Sequence, residues 1–252
     1  MTGLLAGKVV VVTGGSSGIG RAIAERVVSE GAAVVIGARR TDVGEAVVAR
    51  LRAGGGKAVF VSTDVTVEAD SAALVAAAIA EFGRLDGAVN NAGSVTTSGP
   101  VQDIDAADWA AELDSNLNSV FYGLKHQVPA IRAAGGGSIV NNASTAASVG
   151  IPGMSAYVAA KHGVLGLTRS VALECARDGV RVNTLVTGNV DTPLYRGLLG
   201  AAPDDELGDA PNPTQRAADP AEIAAFTVFL LSDQARFITG AALPIDGGAT
   251  AQ

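Results

Sequence analysis

The chain has 252 residues, a length that fits one large α/β domain or two small ones. Its formal charge of −7 argues against nucleic acids and anionic membrane surfaces as partners. Apolar residues make up 48% of the chain and aromatic residues only 4%, so small aliphatic side chains must fill the core. Cys175 is the only cysteine, and no apolar run reaches the roughly eighteen residues of a membrane span. The first residues lack the pattern of a signal peptide, so we expect a single-domain cytoplasmic protein.

The β-branched run Val9–Val12 predicts a strand that is buried on both faces, as in a parallel sheet. A glycine-rich turn, Thr13–Gly20, follows it and opens a helix that reaches about Glu30. Glycines let a phosphate approach the backbone, and the free N–H groups at a helix start attract anions. The spacing Gly-x-x-x-Gly-x-Gly differs from the Rossmann pattern, but its place between strand and helix favours nucleotide binding. The candidate cofactor contacts in this turn are Gly14, Ser16, Ser17, Gly18, Ile19 and Gly20.

The second strand, Ala33–Ile36, leads into two arginines, Arg39 and Arg40. In a Rossmann unit an acidic residue about 20 positions beyond the glycines holds the ribose 2′-hydroxyl, but here no carboxylate occurs before Asp42. Arginines at this place suit a 2′-phosphate, although two solvated arginines at a strand end are the simpler alternative. We therefore favour NADP(H) as the cofactor, with NAD(H) possible.

Strands and helices alternate along the rest of the chain, which predicts a Rossmann-like, doubly wound parallel sheet of seven strands with helices on both faces. The further predicted strands are Ala58–Val61, Leu85–Val89, Ser138–Asn142, Val180–Val186 and Leu243–Ile245. The further predicted helices are Val43–Ala53, Val67–Phe82, Asp105–Arg132, Met154–Asp178 and one capped by Asp219. Leu194–Gln215 shows no convincing period, so we expect a mobile substrate loop at about 190–216.

Tyr157 and Lys161 stand four residues apart in a predicted helix, so their side chains share one face. A free tyrosine has a pKa of about 10, and a cation within a few ångströms lowers it by roughly 1–3 units. The phenol would then serve as an acid and a base near neutral pH. Ser144, just after a strand, could bring a hydroxyl to the same place. By itself, however, Tyr-x-x-x-Lys is common on helix surfaces.

Asn116 lies on the predicted apolar face of the Asp105–Arg132 helix, which Trp109, Leu113 and Leu117 also mark. A buried amide needs hydrogen-bond partners, and a satisfied core asparagine is the simplest interpretation of this residue alone.

Six unusual stretches each follow a predicted strand, and in parallel sheets ligands bind outside the carboxyl ends of the strands. These stretches are the glycine turn, Arg39-Arg40, Asp64-Val65, Asn90–Gly93, Ser144 and Thr187-Gly188. We expect them to meet at one edge of the sheet, and this coincidence strengthens the catalytic interpretation of Tyr157 and Lys161.

The combined motifs resemble the classical branch of the short-chain dehydrogenase/reductase family over essentially the whole chain. They are Thr13-Gly14-x-x-x-Gly18-x-Gly20, Asn90-Asn91-Ala92-Gly93, Asn116, Ser144, Tyr157-x-x-x-Lys161 and Asp246-Gly247-Gly248. The resemblance implies reversible carbonyl reduction, in which nicotinamide gives a hydride and Tyr157 gives a proton. It further implies that Ser144 binds the substrate oxygen, that Lys161 acidifies Tyr157 and holds the nicotinamide ribose, and that Asn116 holds a water that relays protons. The family is usually tetrameric.

The resemblance also implies that Asp64 lies near the adenine and Thr192 near the nicotinamide carboxamide. The remaining candidate cofactor contacts are Val65, Asn91, Ala92, Gly93, Thr187, Gly188 and Val190. Thr187 departs from the family, which commonly has proline before this glycine, and it adds a hydroxyl near the expected nicotinamide end.

The candidate substrate-lining residues are mostly apolar, and no arginine is obviously placed to hold a carboxylate. They are Ser94, Val95, Ala146, Met154, Leu194 and Tyr195. We therefore expect a small neutral ketone or secondary alcohol. No residue cluster has metal-ligand spacing, and we expect no metal. Three alternatives stay open: a non-catalytic NAD(P) sensor or scaffold, an epimerase or lyase, and an acyl-carrier-protein reductase, which the acidic charge weakly disfavours.

Overall fold

Parallel strands form the centre of the protein in the computed structural model, which describes residues 3–251. The strands are β1 (Val9–Thr13), β2 (Ala33–Ala38), β3 (Ala58–Ser62), β4 (Gly87–Asn90), β5 (Gly137–Asn142), β6 (Val180–Thr187) and β7 (Ala242–Ile245). They pair in the order β3-β2-β1-β4-β5-β6-β7, and every pairing is parallel. All the predicted strands are present, with ends shifted by no more than two residues.

Helices cover both faces of this sheet. They are α1 (Gly18–Ser29), α2 (Thr41–Ala53), α3 (Glu68–Phe82), α4 (Ala106–Leu113), α5 (Ser119–Ala133), α6 (Ser155–Cys175), α7 (Pro193–Leu199) and α8 (Pro220–Leu231). Helices α1, α2 and α8 pack on one face, and α3, α5 and α6 pack on the other. The prediction of a doubly wound α/β sheet in one domain is confirmed. No helix among residues 3–251 is both long enough and apolar enough to cross a membrane.

The core explains why β1 is a continuous valine run. Val10 and Val12 belong to the apolar cluster beneath α1 and α8, whereas Val9 and Val11 belong to the cluster beneath α3 and α5. Successive side chains of a strand point to opposite faces, so a strand covered on both sides favours apolar residues at every position. The strand order reverses between β1 and β4, and this reversal opens a cleft at the carboxyl edge of the sheet.

The prediction of one continuous helix over Asp105–Arg132 is wrong in the middle of that range. A five-residue π turn, Asp114–Asn118, separates α4 from α5. The extra residue in this turn changes which side chains face inward. Trp109, expected on the buried face, is 37% exposed, whereas Glu112 and Asn116 are fully buried. No glycine or proline marks the turn in the sequence.

The segment expected to be irregular begins with a helix, α7. The Thr192 hydroxyl oxygen accepts a hydrogen bond from the Tyr195 N–H at 3.1 Å, and Pro193 occupies the first helical position. Gly200 ends the helix in the left-handed conformation, at φ +67°. Threonine before proline is a helix-start signal, so the sequence does contain a signal for α7. The capping box of Asp219 at the start of α8 is present as predicted.

Candidate active site

The loops that follow the strands border one cavity of about 540 Å³ at the carboxyl edge of the sheet. Most of the residues predicted to contact a cofactor lie on its wall. Among them are Gly14, Ser16, Ser17, Gly18, Ile19, Arg39, Arg40, Asp64, Val65, Asn91, Ala92, Gly93, Thr187, Gly188, Val190 and Thr192. Gly20 lies behind the wall, where an added Cβ would stand 2.3 Å from the Gly14 carbonyl oxygen.

The start of α1 faces this cavity without a protein cap. Ser17 is the N-cap residue, but its side chain accepts no hydrogen bond from the helix, and the first turn carries no acidic residue. Gly18 adopts φ +51°, a conformation that other residues rarely adopt. The exposed N–H groups and the positive end of the helix suit a phosphate, so this turn fits a dinucleotide.

Arg39 and Arg40 are exposed at the mouth of the cavity, directly before α2. Within residues 3–251 neither arginine takes part in an ion pair. Asp64 lies on the same wall. A hydrogen bond from the Thr66 hydroxyl, helped by the charge of Arg39, lowers the pKa of Asp64, and both Thr66 hydrogen bonds go to Oδ1.

The structure brings Ser144, Tyr157, Lys161 and Asn116 to one part of the cavity wall. The Lys161 Nζ lies 5.4 Å from the centre of the Tyr157 ring. Lys161 is 4% exposed, and its ammonium donates to the Asn142 carbonyl oxygen at 3.4 Å. Ser144 follows β5, as predicted, and its Oγ accepts a hydrogen bond from the Ala146 N–H at 3.2 Å.

The pKa of Tyr157 lies above its ordinary value, not below it as its spacing from Lys161 suggested, and the effect of Lys161 on the phenol stays a prediction. Burial raises the pKa of Tyr157 to about 12; the Ser144 hydroxyl opposes this effect and the Glu112 carboxylate adds to it. Burial also lowers the pKa of Lys161 to about 8, against the charge of Glu112. A buried site disfavours the charged form of each group.

The Asn116 amide is fully satisfied inside the π turn. Its Nδ2 donates to the Ser94 carbonyl oxygen at 2.8 Å and to the Glu112 Oε1 at 2.9 Å, and its Oδ1 accepts from the Ser94 N–H at 3.3 Å. The buried amide therefore has its partners and also reaches the cavity wall. Its role in holding a water stays a prediction.

Two threonines on the wall use their hydroxyls within the protein. Thr187 donates to the Asn142 Oδ1 at 3.3 Å and the Ala143 carbonyl oxygen at 3.2 Å, which ties β6 to β5. The hydroxyl that replaces the family's proline is thus engaged in the sheet and does not point freely toward the nicotinamide end. Thr192 caps α7 and is nearly buried.

The other end of the cavity is lined mainly by apolar side chains. Of the predicted substrate residues, Ser94, Val95, Met154, Leu194 and Tyr195 are on the wall. Ala146 is not: it is completely buried, so its assignment as a lining residue is wrong. Several other residues on the wall were not predicted from the sequence, namely Ser115, Thr145, Ile151, Asn189, Pro193 and Leu198. Leu198 follows Leu194 by one helical turn. A prediction of α7 would therefore have placed both leucines on the same face and identified Leu198 as a lining residue.

The charged side chains on the wall are Arg39, Arg40 and Asp64 at one end and Lys161 in the middle. No arginine, lysine or carboxylate among the described lining residues reaches the apolar end. Within residues 3–251 no group of three or more histidine, cysteine or acidic side chains is placed to hold a metal ion.

Comparisons with known proteins match nearly the whole chain. A family model described as enoyl-(acyl carrier protein) reductase matches residues 14–250. A 2,5-dichloro-2,5-cyclohexadiene-1,4-diol dehydrogenase of Sphingobium indicum is 44% identical over 98% of both chains. A cis-4-hydroxycyclohexanecarboxylate dehydrogenase of Sinomonas cyclohexanicum is 45% identical over 97% of both chains. The crystal structure of levodione reductase is 37% identical, with a TM-score of 0.92 over 98% of this chain and 99% of that chain.

Proposed function

Because the chain belongs to the classical short-chain dehydrogenase/reductase family and is therefore a nicotinamide-dependent oxidoreductase that interconverts alcohols and carbonyls, we propose that it acts on a neutral secondary alcohol or ketone of a six-membered carbon ring. The observation that carries this proposal is the apolar, uncharged end of the cavity beside Tyr157 and Ser144. Apolar walls bind a ring by removing its surface from water, and two hydroxyls suffice to orient one oxygen.

The names of the relatives support a ring alcohol, since one acts on a cyclohexadiene diol and another on a hydroxycyclohexane. The second of these substrates also carries a carboxylate. A buried carboxylate needs a cation or several donors, and the apolar end of this cavity offers no cationic side chain among its described residues. The proposed substrate is therefore neutral.

Tyr157 is the proposed proton donor and acceptor. With a pKa raised to about 12, its phenol is protonated at neutral pH, which suits donation of a proton to the carbonyl oxygen during reduction. The Ser144 hydroxyl lies close enough to affect the Tyr157 phenol and would bind the same substrate oxygen. Lys161, with a pKa of about 8, remains largely charged at neutral pH and stabilises the phenolate that forms. The nicotinamide, when bound, supplies or accepts the hydride.

NADP(H) is the proposed preferred cofactor. Arg39 and Arg40 are free of ion pairs in the described part of the chain and stand beside Ala38, where an acid would otherwise meet the ribose. An arginine fork matches a phosphate group in shape and charge. The uncapped start of α1 suits the pyrophosphate.

A homo-oligomer, a tetramer by family resemblance, is the proposed assembly in the cytoplasm. Leu173, which is 81% exposed, and Phe237, whose side chain is fully exposed, are available for contact with a partner subunit. We also propose that residues 190–216 move over the substrate, because α7 presents Leu194 and Leu198 to the cavity.

A cofactor-coupled assay tests the proposed activity. The purified protein is supplied with cyclohexanol, cyclohexanone or 4-hydroxycyclohexanecarboxylate and with NADP(H) or NAD(H), and the change in nicotinamide absorbance is followed. We expect net cofactor turnover with the neutral pair and a much lower kcat/KM with the carboxylate. Equal efficiency with the carboxylate would refute a neutral substrate, and binding of cofactor without net turnover would favour a sensor or an epimerase. A thioester of acyl-carrier protein belongs in the same assay, since the matching family model carries that description.

A further inference from the structure

Glu112 is an ionisable side chain with no assigned role in the proposed reaction. It lies in the last turn of α4, immediately before the π turn, and it is completely buried. None of the ion pairs formed by residues 3–251 includes it. A buried carboxylate is costly unless hydrogen-bond donors surround it. The burial of the Glu112 carboxylate therefore needs an explanation.

The carboxylate connects two separate parts of the cavity wall. Its Oε2 accepts hydrogen bonds from the Thr96 N–H at 2.8 Å and from the Thr96 hydroxyl at 2.5 Å. Its Oε1 accepts from the Asn116 Nδ2 at 2.9 Å. Thr96 belongs to the loop after β4, directly beyond the lining residues Ser94 and Val95, whereas Asn116 belongs to the π turn. Glu112 thus fixes the loop to the turn.

The Glu112 carboxylate also affects Tyr157 and Lys161 of α6. An atom placed at the Cβ position of Gly93 would be 2.7 Å from the Asn116 Oδ1 and 3.4 Å from the Lys161 Nζ. Asn116, which is bonded to Glu112, and the Lys161 ammonium therefore both lie against Gly93. The negative charge of Glu112 raises the pKa of both Lys161 and Tyr157, opposing the effect of burial on the first and adding to it on the second.

We propose that Glu112 is a positioning residue for the reaction: its carboxylate holds the Thr96 loop against the π turn and keeps a fixed negative charge behind Lys161 and Tyr157. This inference rests on the proposed function of that pair. The ionisable groups that face Glu112 are Lys161 and Tyr157 of α6. From the loop and the π turn, its neighbours Thr96, Asn116 and Ser115 do not titrate in the accessible range.

Replacement of Glu112 by glutamine removes the charge and keeps the size of the side chain. Without the negative charge, the Tyr157 phenolate is less repelled and the Lys161 ammonium less stabilised, so the pKa of each group falls. We expect both limbs of the pH profile of kcat/KM for alcohol oxidation to move to lower pH, by at least about half a unit. Asp114→Asn is the matched control, because it removes the same charge two residues away, from a carboxylate bonded to Asn118. Its profile should coincide with that of the unmodified protein.

The profile separates this inference from a merely structural role. If Glu112→Gln lowers the melting temperature or the rate while both limbs stay in place, the inference is wrong even though the enzyme is active. If the unmodified protein turns over no alcohol, the proposed function is wrong, and the Glu112 inference needs a measurement that does not depend on activity. The ultraviolet titration of tyrosinate then reports the same charge, since the chain has three tyrosines and Tyr157→Phe identifies the signal of Tyr157. An unchanged titration of Tyr157 in Glu112→Gln overturns the inference there as well.

Thr96→Val provides a second variant if the glutamine protein does not fold. Valine keeps the N–H donor and the size of the side chain, and it removes only the hydroxyl donor to Glu112. We expect the KM for the alcohol to rise roughly threefold or more while the KM for the cofactor is unchanged, because the loop carries Ser94 and Val95. Thr97→Val, one residue along and off the cavity wall, is the control. Equal KM values for the two variants would overturn the positioning role of the loop contact.

Discussion

The Lys161 ammonium lies 5.4 Å from the centre of the Tyr157 ring, one turn further along α6. Burial acts on the two groups in opposite directions, since it raises the pKa of the phenol to about 12 and lowers that of the ammonium to about 8. Each group is therefore held closer to its neutral form than it would be in water. Because burial disfavours the phenolate, the neighbouring cation matters for a negative charge formed at this place.

Replacing Tyr157 by phenylalanine should remove catalysis and keep the site. The ring volume stays, while the only proposed proton donor is lost, so we expect kcat to fall by roughly 100-fold or more. Cofactor affinity, measured by titration of nicotinamide fluorescence, should stay within about twofold. Tyr122→Phe, which removes a hydroxyl on α5 away from the cavity wall, is the control. A Tyr157→Phe enzyme with normal turnover would show that another group moves the proton.

Lys161 should destabilise the protein near neutral pH. Its pKa in the folded chain is about 8, below the ordinary value of 10.5, so burial penalises its protonated form. The penalty is fully present below pH 8 and disappears as the pH rises to about 10.5, where the unfolded chain also loses the proton. A difference of this size corresponds to about 3 kcal/mol.

Lys161→Met tests this statement. We expect the variant to have a higher free energy of unfolding than the unmodified protein at pH 7, by up to about 3 kcal/mol, and nearly the same value at pH 10.5. Urea unfolding of the protein without cofactor, at several pH values, measures the difference. Tyr157, whose pKa is raised to about 12, stays largely protonated up to pH 10.5 and adds little to the difference. A gap that widens with rising pH would contradict the assigned direction of the pKa shift.

The strands and most of the helices could be predicted because their signals are local. The valine run of β1 and the capping box at Asp219 each specify a local structure within a few residues. The positions of Arg39 and Ser144 then followed from topology, since the carboxyl ends of parallel strands share one edge. The motifs of a site that six loops form could therefore be identified one after another along the sequence.

The π turn and the burial of Glu112 could not be predicted, because no local rule specifies them. Helical periodicity places Trp109 on the buried face and gives Glu112 no special role, whereas in the structure Trp109 is 37% exposed and Glu112 is buried and bonded to Thr96. The raised pKa of Tyr157 could not be predicted for a related reason. The spacing of two residues gives their proximity, whereas the pKa depends on how much protein surrounds them.

Arg39 should determine the choice between NADP and NAD. Replacing it by aspartate removes a cation at the proposed 2′-phosphate and places a carboxylate where a ribose hydroxyl can bind. We expect the ratio of kcat/KM for NADP to that for NAD to fall by roughly 10- to 100-fold. Arg50→Asp, which makes the same charge change on the exposed side of α2, should leave the ratio unchanged. Equal ratios in the two variants would place the phosphate elsewhere.

Arg196 should fix the start of the substrate segment. Its guanidinium donates to both carboxylate oxygens of Asp191, at 2.6 and 2.8 Å, and to the carbonyl oxygens of Ala202 and Asp205, both at 2.9 Å. Lysine keeps the charge but cannot form this fork of donors. In Arg196→Lys we therefore expect faster hydrogen exchange in residues 200–206 and a KM for the alcohol raised roughly threefold to tenfold, with kcat changed less.

The control for this prediction is Arg236→Lys, because Arg236 is exposed and its contact with Asp233 is long, at 3.4 Å. That variant should match the unmodified protein in both measurements. Since α7 carries Leu194 and Leu198 on the cavity wall, loosening its attachment acts on substrate binding before it acts on chemistry. A large loss of kcat in Arg196→Lys with no change in KM would contradict this order. It would mean that the segment after α7 helps to place the reacting groups as well as to hold the ring.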